Sequence, residues 1–157
     1  ARARSRILTS QTPEKALAFF EGELKDPARA GQIGTLYGLA LAHLQLGRYV
    51  EARRELAALR SQYPNVIAFH SGLAAAEFGL GERQAALATF RDAMRLFPRN
   101  IPLTLRYAET LMQVDEYKEA HRLLLDLFNN VPPTSEQVRL IARAASGAGD
   151  TADAHYY

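Results

Sequence analysis

Three prolines fix the scale on which this 157-residue chain can fold. Pro64, Pro98 and Pro132 lie 34 and 34 residues apart, and each closes a short polar segment that follows an apolar run: "SQYPN", "RLFPRN" and "NNVPPT". Other columns keep the same step: Ala52, Ala86 and Ala120; Gly47, Gly81 and Asp115; Leu39, Leu73 and Tyr107. Four columns in three copies without an insertion define a repeat, and a period of this length belongs to stacked supersecondary units. The units are 33–66, 67–100 and 101–134.

Each unit predicts helix, turn, helix. In "LYGLALAHLQLG" the residues Leu36, Leu39, Ala40 and His43 advance by three or four, as one face of a helix requires. Gly47, Gly81 and Asp115 then end the first helices, because Gly and Asp tolerate the left-handed conformation of a helix C-terminus. The second helices carry Ala52, Leu56 and Leu59; Ala86, Phe90 and Ala93; and Ala120, Leu124 and Leu127. Each should stop before its proline, which lacks the N–H to continue and drives the preceding residue out of the α region.

These columns resemble the tetratricopeptide repeat, with Ala40, Ala74 and Ala108 at its small eighth position. The resemblance implies an all-α fold, a right-handed superhelical α-solenoid. The family's early Trp is absent, replaced by Leu36, His70 and Thr104, which should loosen packing in the third unit.

A fourth unit starts in register at Ser135 and has 23 of 34 positions (135–157). Its Gly149 predicts a turn and its Ala154 the opening of a second helix, so the chain reads as part of a longer protein with apolar surface left uncovered, which favours self-association. Ahead of the first unit, residues 1–32 form a cap. Thr12 is the N-cap and Pro13 the first helical residue of a helix to about residue 25, with Leu17, Phe20 and Leu24 as its apolar stripe. Residues 1–10 would add one more helix.

Composition narrows function. The 19 basic and 17 acidic residues give a net charge of +2, too small to point to nucleic acid. The 48% hydrophobic content is that of a folding chain, no apolar run approaches the ~20 residues that span a bilayer, and "ARARSRIL" lacks the parts of a signal peptide. Without an initiator Met the chain reads as processed or excised, which leaves the compartment open. Zero cysteines exclude disulfides, thiolate metal sites and Cys nucleophiles.

Catalysis finds no support: H-E-x-x-H, G-x-S-x-G and G-x-x-x-x-G-K are all missing, and the prediction is a non-enzymatic chain with no metal site and no cofactor. His43 and His70 sit in columns that normally hold buried aromatics and read as structural. His121 and His155 recur 34 residues apart, which places them roughly 10 Å apart on successive helices, too far to share one metal.

Binding is better served, since stacked helix pairs line a groove with their first helices. The tetratricopeptide resemblance maps that groove onto Tyr37, Leu41, Leu44 and Gln45; Ser71, Ala75 and Phe78; Leu105, Glu109 and Met112; and Arg139 and Arg143, apolar with a basic end. Leu41, Leu44 and Leu105 fit helix packing equally well. The Lys and Asn pattern that clamps a C-terminal carboxylate is missing, so an extended or helical apolar segment of a protein is the expected ligand. Base-reading RNA repeats need polar pairs and a basic groove, which Ala75, Phe78 and Leu105 do not supply.

From "NVIAFHSGLAAAEFGLGERQAALATFRDAMRLFPRN" through "LRYAETLMQVDEYKEAHRLLLDLF" to "GDTADAHYY", residues 33–157 also resemble the C-terminal repeats of periplasmic β-barrel-assembly-enhancing metalloproteases of the BepA type. That resemblance implies a periplasmic docking domain whose zinc-bearing catalytic domain precedes residue 1, and a partner in the outer-membrane barrel-assembly machinery or its clients. The alternative is a standalone adaptor or secretion chaperone of the same fold.

Overall fold

The computed structural model describes the backbone of residues 12–152 and the side chains of residues 12–149. Eight helices occupy this range: α1 Pro13–Leu24, α2 Ile33–Gln45, α3 Tyr49–Gln62, α4 Ile67–Gly79, α5 Arg83–Leu96, α6 Ile101–Gln113, α7 Tyr117–Leu127 and α8 Ser135–Ala152. The repeat is metrically faithful. First helices start at 33, 67, 101 and 135 and second helices at 49, 83 and 117, each step being 34 residues.

The turns inside the hairpins repeat atom for atom. Gly47, Gly81 and Asp115 have φ of 73°, 78° and 63°, the left-handed region the sequence calls for. The N–H of the residue after each reaches back to a carbonyl five residues earlier: Arg48 to His43 at 2.8 Å, Glu82 to Glu77 at 2.9 Å and Glu116 to Leu111 at 2.8 Å. A second bond joins Gly47 to Leu44, Gly81 to Phe78 and Asp115 to Met112, completing a Schellman motif that satisfies the last carbonyls of each first helix.

The chain divides into two compact units, residues 1–89 and 90–157, with the boundary inside α5. In the first, Ala40, Ala52, Leu56, Leu59, Phe69 and Leu73 form a dry core between α2, α3 and α4. A second cluster under α1 joins Ala16, Leu17, Phe20, Leu39 and Ala42. The close approach of α1 depends on Gly38, where a Cβ would stand 2.3 Å from the Phe20 ring. In the second unit the core comprises Phe90, Leu103, Tyr107, Ala108, Leu111 and Leu124, and Phe90 stacks on Tyr107 at 5.6 Å.

Helix α1 starts where Thr12 and Pro13 predict, with Thr12 Oγ1 accepting the Lys15 N–H at 3.4 Å. Its buried face, however, includes Glu23, while Leu24 is exposed. The Glu23 carboxylate tolerates burial because Thr35 Oγ1 donates to it at 2.7 Å and Arg29 Nη1 at 3.1 Å. The predicted turn at Gly149 is absent: α8 runs on to Ala152, and among the described residues only Gly47 and Gly81 are glycines with positive φ. Glycine permits a turn without requiring one. Here Gly147 serves packing, since a Cβ there would lie 2.2 Å from the Tyr117 ring of α7. Ala154, His155 and the proposed helix over 1–10 lie outside the described residues.

His43 and His70 have structural partners. His43 Nδ1 lies 2.8 Å from one oxygen of Glu55, and His70 Nε2 is 2.8 Å from the Pro64 carbonyl. Thr104, in the slot of the missing Trp, is buried and donates to the Asn100 carbonyl at 2.8 Å. A cleft of about 50 Å³ opens beside Thr104, Met94 and Leu123, in keeping with the looser packing expected there.

Candidate binding surface

The first helices of the first unit present a mostly packed face. Tyr37 and Leu44 are half-buried against the core, and the Tyr37 ring leans on Phe69 at 5.3 Å. Leu41 is half-buried; Gln45 and Ala75 are exposed; Phe78 is half-buried with the Arg83 guanidinium 6.0 Å above its ring. Two of the expected groove residues turn inward. Ser71 is buried and donates to the Ile67 and Ala68 carbonyls, and Met112 is buried in the core of the second unit, so neither offers a surface to a ligand. The 34-residue step assigns a column, but the burial of each member depends on its own side chain and on the neighbours it meets.

The remaining four expected residues come together. In the second unit a pocket of about 410 Å³ is lined by Leu105 and Glu109 of α6 and by Glu136, Arg139, Leu140 and Arg143 of α8. On α8 these residues fall at i, i+3, i+4 and i+7, one continuous face. Leu105 and Glu109 are one turn apart on the opposing wall.

The mouth of the pocket is held in shape by the start of α8. Thr134 Oγ1 accepts the Gln137 N–H at 3.2 Å while Gln137 Oε1 accepts the Thr134 N–H at 2.9 Å. This reciprocal capping box fixes the first turn and the direction of the face behind it. The signature of this box is the sequence "TSEQ", residues 134–137. Leu140 and Leu105 are half-buried and supply an apolar floor, whereas Glu109, Glu136, Arg139 and Arg143 are exposed. Among the described residues none of these four charged groups makes an ion pair, so their charges face solvent.

The chemistry this can perform is binding. No group of three or more His, Cys, Asp or Glu among the described residues is placed to hold a metal, and no helix among them is long and apolar enough to cross a membrane. The two strongest polar arrangements elsewhere are structural ties between helices. Glu77 accepts from Thr89, and Tyr107 donates to Glu119 at 3.1 Å while accepting from Arg91 Nε at 3.2 Å. Burial and the Glu119 carboxylate push the Tyr107 phenol above its ordinary value of 10.0, which keeps it protonated and donating.

Comparison with known proteins agrees with this architecture. A thermophilic tetratricopeptide-repeat protein of Thermus thermophilus is 24% identical and aligns over 94% of this chain and 80% of its own, with a TM-score of 0.72. MamA is 18% identical over 93% of this chain and 84% of its own, with a TM-score of 0.73. The type III secretion chaperone SycD of Yersinia enterocolitica, solved in complex with a peptide of the translocator YopD, is 24% identical over 73% of this chain and 88% of its own, with a TM-score of 0.59. These likenesses show the fold, an all-α solenoid of helical repeats. Among curated proteins there is no significant sequence match. The tetratricopeptide repeat family model matches residues 77–144, and the bacterial transcriptional activator domain model matches residues 8–106. The two matches share residues 77–106, where both fall on the same 34-residue hairpins. With the broader match spanning more than half its length, the chain belongs to the bacterial transcriptional activator domain family, realised here as tetratricopeptide-type helical repeats.

Proposed function

We propose that this chain is a non-catalytic interaction scaffold that takes up a peptide segment of a partner protein on its first helices. The observation that carries the reading is the pocket between α6 and α8: an apolar floor with unpaired charges on both walls, built on rigid helices, suits a short segment of polypeptide better than a reacting small molecule.

The setting we infer is the periplasm, with the chain as the docking domain of a zinc metalloprotease of the BepA type that engages the outer-membrane barrel-assembly machinery or its clients. This setting rests on the sequence resemblance over residues 33–157, above all on the closing "GDTADAHYY". A second reading, a standalone adaptor or secretion chaperone, is favoured by the fold likeness to SycD, which was solved holding a translocator peptide. The family name adds a third setting, a regulator of transcription in which the same repeats act as an interaction module.

Site-specific photo-crosslinking in cells separates the three. A photoreactive residue placed at Leu105 or Arg143 of the full-length protein should capture outer-membrane assembly components or unfolded barrel proteins. Capture of a secreted translocator, or of transcription machinery, would overturn the periplasmic docking reading in favour of one of the others. Self-association, expected from the uncovered face of α8, predicts crosslinks between copies from Val138, which is 50% exposed.

A further inference from the structure

The α6–α8 pocket carries enough chemistry to say what kind of segment it takes. Arg139 and Arg143 are one helical turn apart on α8, exposed, and without an ion pair among the described residues. Leu140 stands between them on the same face, and Leu105 lies on the opposing wall. Two guanidiniums at this spacing can share one carboxylate, or take one each of two neighbouring ones, through charge-assisted hydrogen bonds. The leucines beside them offer a partly desolvated floor, where such bonds gain strength because water competes less.

Glu109 and Glu136 limit the choice. They line the same pocket, so its four charges sum to zero and a polyanion, whether nucleic acid or phosphorylated lipid, gains no net attraction. Glu136 sits in the first turn of α8, where the helix dipole favours its charge, and leaves the arginines free. Glu109 faces them from α6 and calls for a donor on the far side of the ligand. An extended peptide matches this arrangement: an Asp or Glu side chain toward Arg139 and Arg143, an adjacent large aliphatic side chain on Leu105 and Leu140, and a backbone N–H or basic side chain toward Glu109.

Resting on the scaffold reading above, we infer that the α6–α8 pocket recognises an acidic residue next to a large aliphatic one within an extended segment of a partner protein, with Arg139 and Arg143 as the residues that set specificity.

A random dodecapeptide phage library panned on the immobilised full chain tests this without knowledge of the natural partner. Enriched peptides should share an Asp or Glu beside Leu, Ile, Val or Phe. A synthetic consensus peptide should bind R139Q/R143Q at least tenfold more weakly than the parent, with the melting temperature unchanged, since both side chains are exposed. Binding of the peptide should also fall with rising salt, and inorganic phosphate should not displace it. Enrichment of peptides without acidic residues, or a consensus peptide that R139Q/R143Q binds as well as the parent does, would overturn the inference while leaving the scaffold reading standing. A library that yields no binder at all would count against both.

Discussion

Ala108 and Ala142 occupy the same column of the repeat, 34 residues apart in α6 and α8, yet Ala108 is fully buried and Ala142 is exposed. The same split separates Thr104, 2% exposed, from Val138, 50% exposed. In α6 the column lies in a helix that packs against α7, the second helix of its own hairpin, whose Ala120 and Leu124 are fully buried, and Thr104 also meets Met94 of α5. In α8 no second helix follows among the described residues. Sequence columns therefore mark where a helix can be buried, and the neighbour decides whether it is. The small residues that look alike along the period are a core in one place and an open surface in the other.

The largest test of this contrast sits on α7. Leu124 is fully buried and Leu125, its neighbour, is 52% exposed. Leu124→Ala should cost about 2–5 kcal/mol, from lost transfer energy and the cavity left behind, while Leu125→Ala should stay within roughly 0.5 kcal/mol. Equal urea midpoints for the two variants would show that Leu124 is no more a core residue than Leu125. Next in size is the column itself. Ala108→Leu forces three extra carbons into a filled site and should cost about 1–3 kcal/mol, whereas Ala142→Leu should be close to neutral. Circular dichroism melts of the pair read this directly, and a large loss at Ala142 would mean that the α8 face is covered in solution.

A smaller effect concerns a charged group held inside the first unit. Glu55 is pushed above its ordinary carboxyl value of 4.5 because burial outweighs the hydrogen bond to His43 and the attraction of His43 and Arg54. The folded chain then holds this proton to higher pH than the unfolded chain does. The contribution of Glu55 is complete below about pH 4.5 and is lost as pH rises through the raised value. Glu55→Gln has no proton to release, so its stability relative to the parent should improve from pH 4 to pH 8. Denaturant midpoints that drift the other way would show that the His43 contact dominates. The smallest effect is at the turn of the third hairpin. Asp115 adopts φ of 63° where Gly47 and Gly81 stand in the other two, and Asp115→Gly should stabilise by up to about 1 kcal/mol if relief of that conformation outweighs the added freedom of the unfolded chain. A loss of stability would assign Asp115 a side-chain role beyond the turn.

The period of 34 made the hairpins legible down to their first residues, because proline and left-handed turn positions punctuate the chain by local sterics alone. The cores followed from Ala40, Ala74 and Ala108 and from Ala52, Ala86 and Ala120, all fully buried. The site was half legible. Leu105, Glu109, Arg139 and Arg143 meet in one pocket, whereas Ser71 and Met112 are buried, a difference that the 34-residue step does not encode. Glu23 shows a different gap: its burial depends on Thr35 and Arg29, partners 12 and 6 residues away that a search for apolar stripes passes over. Gly149 permits a turn without demanding one, and the chain stays helical there.

The proposed working surface of this chain is the α6–α8 pocket. Hydrogen–deuterium exchange of the full chain with and without a bound peptide partner measures it most directly. Slowed exchange should be confined to the exposed turns of residues 101–113 and 134–143 and be lost in R139Q/R143Q. Protection centred instead on α2 and α4, around Gln45 and Ala75, with residues 134–143 unchanged, would contradict it.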